Sequence, residues 1–163
     1  MKRLSDNIVK LLNLRIKQEL ESSYIYEAMA ASLDFKGYVQ GAKLWREDAK
    51  GERKHAQWAI DYLLGMDIQP IIPLIVQPQQ DFTDIKDIVD KSVIHEELIT
   101  KQCSDLAKSA LLESDLVTYQ FVSSKYLAEQ IEELAKVLER QKYAQLYAND
   151  NFALESYFEG QLG

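Results

Sequence analysis

Apolar residues recur in alternating steps of three and four over four long stretches of this 163-residue chain. In the first, about residues 5–34, one stripe reads Leu12, Ile16, Glu19, Ser23, Tyr26, Ala30 and Leu33. In the second, about 39–64, it reads Trp45, Ala49, Glu52, His55, Ala56, Ala59, Tyr62 and Leu63. The third, about 84–112, carries Val89, Val93, Glu96, Ile99, Cys103, Leu106 or Ala107, and Ala110. The fourth, about 115–147, carries Tyr119, Ser123, Tyr126, Gln130, Glu133 and Val137. This spacing keeps the side chains on one face of an α-helix, so the pattern predicts four helices packed as a bundle. Ser5, Thr83 and Ser114 are the expected N-caps, and Gly37 and Gly65 the expected stops. A short aromatic segment, about 152–159, has Phe152, Leu154, Tyr157 and Phe158 and must dock on something to hold its shape.

Between the second and third stretches, Pro70, Pro73 and Pro78 rule out a helix from Gly65 to Phe82. A helix as long as the second stretch measures about 39 Å. Eighteen extended residues reach roughly 60 Å. The segment can therefore run the length of the bundle and leave the third helix parallel to the second. The expected fold is all-α: one domain over residues 1–163, a four-helix bundle with a long crossover and a short fifth helix.

Composition narrows the function. Hydrophobic residues make up 47% of the chain, enough for a packed core, and the few glycines and prolines suit long helices. The net charge of −7 gives no basic patch for nucleic acid and suits a protein that attracts cations. A single cysteine, Cys103, excludes an internal disulfide and a Cys-x-x-Cys site. The start, Met1 to Asp6, lacks the apolar run of a signal peptide, and no apolar run spans a bilayer, so a cytoplasmic location away from membranes is expected.

The polar residues on the apolar stripes carry the chemistry. Each of the four helices places one or two near its midpoint: Glu19; Glu52 and His55; Glu96; Gln130 and Glu133. A buried carboxylate needs a cation, a hydrogen-bond network or a proton. Carboxylates and an imidazole suit iron, and a carboxylate can bridge two metals. Glu19, Glu52 and His55 would form one site. Glu52, Glu96 and either Glu133 or Gln130 would form another. Glu-x-x-His on one helix, with single glutamates on two others, follows the diiron pattern of four-helix bundles.

The stretches Glu19-Leu20-Glu21-Ser22-Ser23 with Tyr26, Glu52-x-x-His55, Glu96-Glu97-Leu98-Ile99-Thr100 and Glu129-Gln130-x-Glu132-Glu133 together resemble the motifs of bacterial and archaeal non-haem ferritins. The resemblance covers nearly the whole chain. It implies the ferritin-like fold, a twenty-four-subunit hollow shell, and a transient diiron ferroxidase centre in each subunit. There Fe(II) is oxidised by O2 or H2O2, and Fe(III) is stored as an oxo-hydroxide mineral. By match, Glu19, Glu52, His55, Glu96 and Gln130 are the ferroxidase ligands, with Tyr26 close by, and Glu129, Glu132 and Glu133 are the fourth helix's part of a third iron site. Gly51 stands where ferritins with that third site usually carry an acidic residue, Lys125-Tyr126 replaces the usual Trp-Tyr, and Leu134 ends the glutamate run, so the third site stays open.

Alternatives are a non-storage diiron oxidase or peroxidase of the rubrerythrin or bacterioferritin type, and a catalytically weak structural shell subunit. The first would need a second histidine motif on the fourth helix, which has no histidine; Arg53 stands where bacterioferritin has its haem-ligating Met, so no haem is expected. The second would lack the ligands this chain keeps. His95 is read as a solvent or interface residue, Cys103 as a small buried hydrophobe, and Trp45 and Trp58 as packing.

Overall fold

The computed structural model describes residues 3–163; Met1 and Lys2, part of the N-terminal stretch read above, lie outside them. Helix α1 spans Asp6–Phe35, α2 Val39–Gly65 and α3 Ile85–Leu112. The fourth bundle helix is continuous but has three parts: α4 (Leu116–Val122), a π-helical turn (Ser123–Leu127) and α5 (Ala128–Leu146). Helix α6 spans Asn151–Gln161. No strand occurs among the described residues.

Contacts between distant residues give the helix directions. Arg3, before α1, donates to Met66 O and pairs with Asp67, so α2 ends where α1 begins. Residues 66–84 then travel back along the bundle. Asn13 of α1 accepts the Ile71 N–H, and Lys36, beyond the other end of α1, donates to Phe82 O. Helix α3 starts there and finishes beside Ser5, which donates to Glu113. Helices α2 and α3 are therefore parallel, both antiparallel to α1.

The helix ends follow local chemistry. The Ser5 hydroxyl accepts from Ile8 N, and Gly37 takes the left-handed φ of +89° that turns the chain after α1. Two caps differ from expectation. Asp84, not Thr83, caps α3: its carboxylate accepts from Asp87 N while Thr83 N donates back to Asp87. Asp115, not Ser114, caps α4 by accepting from Thr118 N, because Ser114 is in the left-handed region at φ +58°. Helix α2 has no cap of its own. The Glu155 carboxylate of α6 accepts the N–H groups of Gln40 and Gly41 instead, and Phe158 packs edge-on against Trp45 at 5.3 Å. The short aromatic segment thus docks on the start of α2.

The fourth helix also corrects the expected stripe. Tyr119 is exposed, and the buried series is Thr118, Val122, Tyr126 and Gln130. Three successive steps of four would carry an α-helical face round by about 120°. The wider π turn absorbs an extra residue and brings the face back. Past it the steps of three and four resume through Val137, Arg140 and Ala144, all buried.

Two apolar clusters fill the bundle. One gathers Met29, Leu33, Trp45, Ile88, Val89 and Phe158. The other gathers Ile8, Leu12, Ile16, Leu63, Cys103 and Val122. The charged and amide side chains lie between them, near the middle of each helix.

Candidate metal centre

Four buried side chains from three helices form the heart of the centre: Glu19 of α1, Glu52 and His55 of α2, and Glu96 of α3. His55 Nδ1 is 3.1 Å from Glu52 Oε2 and 3.7 Å from Glu19 Oε2, and its Nε2 is 3.7 Å from Glu129 Oε1. The ring lies against Trp58, with centroids 4.6 Å apart. The Tyr126 hydroxyl, carried by the π turn, donates to His55 O. The irregular turn therefore ties the fourth helix to the backbone of the Glu-x-x-His motif.

Glu96 is held from two sides. Tyr26 OH donates to Oε1, and Gln130 Nε2 donates to Oε2 at 2.6 Å and to the Glu96 carbonyl at 3.2 Å. The Gln130 side-chain carbonyl remains available as a donor atom to a metal.

Among the described residues, three groups have ligand atoms within 4.8 Å of one another: Glu19–Glu52–His55, Glu52–Glu96–Glu133 and His55–Glu129–Glu133. Glu52, His55 and Glu133 each belong to two groups, so the groups adjoin and bridging is geometrically available. Glu132 is exposed and in none of them, because it lies off the face that carries Gln130 and Glu133.

The charges of the group suit a cation. Burial pushes Glu52 well above the usual carboxylate range, and the neighbouring Glu19, Glu96 and Glu133 push it further, so its protonated form is favoured until a cation offsets those charges. Burial likewise raises Glu96, against the lowering effect of hydrogen bonds from Tyr26 and Gln130. Burial would raise Glu19 too, but the Arg15 guanidinium, with His55 and Glu52, holds it well below the usual range. Burial lowers His55, but Glu19, Glu133 and Glu129 together outweigh it, so the imidazole sits above its ordinary value. Glu19 Oε2 is buried with no hydrogen-bond partner among the described residues. An orphaned carboxylate oxygen facing a histidine nitrogen, beside a carboxyl whose charge is disfavoured by burial and by its neighbours, is a donor set that fits a divalent cation.

Several residues around the centre escaped sequence reasoning. Arg15 is 1% exposed, with Nε 3.2 Å from Glu19 Oε1 and a terminal nitrogen 3.3 Å from Cys103 Sγ. Cys103 is therefore a hydrogen-bond acceptor as well as a packed side chain, and burial pushes its thiol up to about 11. Buried Asp48 accepts both terminal nitrogens of buried Arg140 and pairs with Lys136 at 3.0 Å. Lys136 also pairs with Glu133 at 2.6 Å. The one signal in the sequence was spacing: Arg15 is four before Glu19, and Asp48 four before Glu52.

His95 is half-buried between α1 and α3, with Nε2 2.8 Å from Ser22 Oγ and its ring edge-on to Tyr26. Burial lowers it to about 4, so it stays neutral. Gly51 has nothing within 4 Å of where a Cβ would stand. No described helix is long and apolar enough to cross a membrane.

The sequence matches the ferritin-like domain model over residues 9–142. It is 33% identical over 133 residues to a bacterial non-heme ferritin of Campylobacter jejuni, covering 81% of this chain and 78% of that one. It is 29% identical over 160 residues to the bacterial non-heme ferritin of Staphylococcus aureus, covering 98% and 95%. Its fold superposes on the open pore ferritin of Archaeoglobus fulgidus with a TM-score of 0.93 over 98% of each chain, at 26% identity. The chain belongs to the ferritin-like domain family and groups there with the bacterial non-heme ferritins.

Proposed function

We propose that this chain is an iron-storage ferroxidase: it binds Fe(II) in pairs at Glu19, Glu52, His55, Glu96 and Gln130, oxidises it, and stores Fe(III) as an oxo-hydroxide inside a shell of its own copies. The observation that carries this reading is the adjoining of three carboxylate and imidazole groups through Glu52, His55 and Glu133 in a buried space. Two cations held side by side can give up two electrons together. These reduce O2 with two protons to H2O2, or H2O2 with two protons to water. Glu52 is the assigned bridge, and loss of its proton clears the oxygen that a second cation needs. Glu129 and Glu133, with His55, are the assigned third group. Glu132, which by resemblance would join that third site, is exposed and stands outside the group.

Assembly into a homo-oligomer of twenty-four subunits rests on family membership and on exposed apolar residues, Ile71, Ile72, Leu74 and Val76 along the crossover, that a second copy would cover. The cytoplasm is the compartment this reading assigns.

The test is anaerobic addition of Fe(II) to the metal-free protein, followed by oxygen. About two Fe(II) per subunit should bind and oxidise rapidly, in a particle that elutes as a large shell. The double variant Glu52→Ala/His55→Ala should lose the rapid phase while eluting at the same volume. Oxidation by that variant at the parent's rate would overturn the assignment.

A further inference from the structure

Lys136 sets a positive charge at the Glu133 edge of the centre, as the fully buried Arg15 does at its Glu19 edge. Its ammonium bridges Glu133 Oε2 at 2.6 Å and Asp48 Oδ1 at 3.0 Å. Asp48 is also paired with Arg140, whose two terminal nitrogens both reach its carboxylate. Lys136 is therefore shared: it balances Glu133 together with what Arg140 leaves of the Asp48 charge. Arg140 is fixed in turn: it is buried and lies over the Trp45 ring at 4.6 Å. Lys136 is different. Its side chain is 36% exposed, on a flexible stem that can withdraw toward solvent.

Glu133 is a shared ligand atom for two of the three groups and has no part in Glu19–Glu52–His55. A cation at either Glu133 group meets the Lys136 charge at close range, and the Glu133 carboxylate must give up a charge-assisted hydrogen bond to take it.

We infer that Lys136 is a tethered counter-cation that occupies Glu133 in the metal-free protein and must be displaced before a metal binds there, so that it sets the affinity of the Glu133 site below that of Glu19–Glu52–His55. Asp48 is its parking place: with Arg140 satisfying most of that carboxylate, Asp48 keeps the ammonium nearby without trapping it. A site loaded against a resident charge releases its ion readily, which suits iron in transit. Lys136 is a positioning residue here, acting through Glu133. The inference rests on the metal-centre reading above, and its test keeps the two apart.

The test uses Co(II), which does not turn over, titrated into the assembled metal-free protein by calorimetry and by its visible absorption bands. The parent should bind at two affinities, and Glu133→Gln should identify the weaker site as the Glu133 site by weakening it further. Lys136→Met should tighten that same site about tenfold, with the tighter one moving less than about twofold. Lys136→Gln, which keeps a polar tip, should act in the same direction and serves if Met perturbs assembly. Lys136→Arg keeps the charge and should stay near the parent. In the Glu133→Gln background, Lys136→Met should have no effect, the signature of coupling between these two side chains. Unchanged or weaker binding in both uncharged variants overturns the inference and leaves the metal centre standing, as does equal tightening with and without Glu133. A parent that binds no Co(II) overturns the metal-centre reading and this inference together.

Discussion

Arg15 and Glu19, one turn apart on α1 and each 1% exposed, form an ion pair of 3.2 Å inside the bundle. The pair holds the Glu19 carboxylate well below the usual range, while burial and like charge raise Glu52 beside it. Arg15→Met leaves Glu19 buried without its cation. Removing one partner of a buried pair costs about 3 kcal/mol or more. The metal-free variant should unfold at a correspondingly lower denaturant midpoint, and Zn(II) should restore much of the loss by replacing the missing charge. The pH dependence has a definite sign. Glu19 lies below its ordinary 4.5, so its contribution is complete above that pH and fades as pH falls toward about 2. The gap between parent and variant should therefore narrow in acid. A gap that is constant from pH 7 to pH 3 would mean that Arg15 acts by packing alone.

Gly51 has no tertiary reason to be glycine. It lies within α2, one residue before Glu52, and a Cβ there would meet nothing within 4 Å. Gly51→Ala should stabilise the protein by about 1 kcal/mol through helix propensity. Thermal melting of the metal-free protein measures this directly. An Ala variant that melts lower would reveal a contact that only glycine permits.

Helix α2 depends on α6 for its cap. The Glu155 carboxylate takes two N–H groups that α2 cannot satisfy itself. Glu155→Ala should cost about 1 kcal/mol, as loss of a side-chain cap does, and Glu155→Gln less. Amide exchange at Gln40 and Gly41 gives a local reading, faster in the Ala variant. If exchange there does not change, α6 is held by Phe158 and its neighbours, and the carboxylate is incidental.

The bundle was legible because each helix writes its buried face as steps of three and four, and because Pro70, Pro73 and Pro78 confine the break to one long crossover. The heart of the centre was legible for the same reason: Glu19, Glu52, His55, Glu96 and Gln130 interrupt those faces, and the structure brings them together. The charges around it were not. Asp48 and Arg140 are 92 residues apart, so nothing local marks them as a pair. Arg15 lies on its helix beside the apolar stripe, where an arginine ordinarily reaches water. The π turn was hidden because Tyr119, Ser123, Tyr126 and Gln130 already follow the steps of a regular helix, and only the buried face, Thr118, Val122, Tyr126 and Gln130, needs the extra residue. Tyr119 was assigned to the core on a regular helix and turns out exposed.

Protons must leave Glu52 when metal arrives. Its carboxyl lies well above the ordinary 4.5 because of burial and the neighbouring Glu19, Glu96 and Glu133. The folded metal-free protein therefore holds this proton more firmly than the unfolded chain. That contribution to stability is full below about pH 4.5 and is lost as pH rises through the folded value, so near neutrality Glu52 burdens the metal-free fold. A cation reverses the balance by taking the place of the proton. Zn(II) binding, followed calorimetrically at pH 6 in buffers of different ionisation enthalpy, should release protons from Glu52, which burial raises, and from His55, which Glu19 raises. Glu52→Gln removes the titrating group. It should release fewer protons, and it should flatten the decline in metal-free stability as pH rises above 4.5. If the parent's apparent enthalpy is the same in every buffer, Glu52 is already ionised and the like-charge crowding of the centre is relieved in some other way.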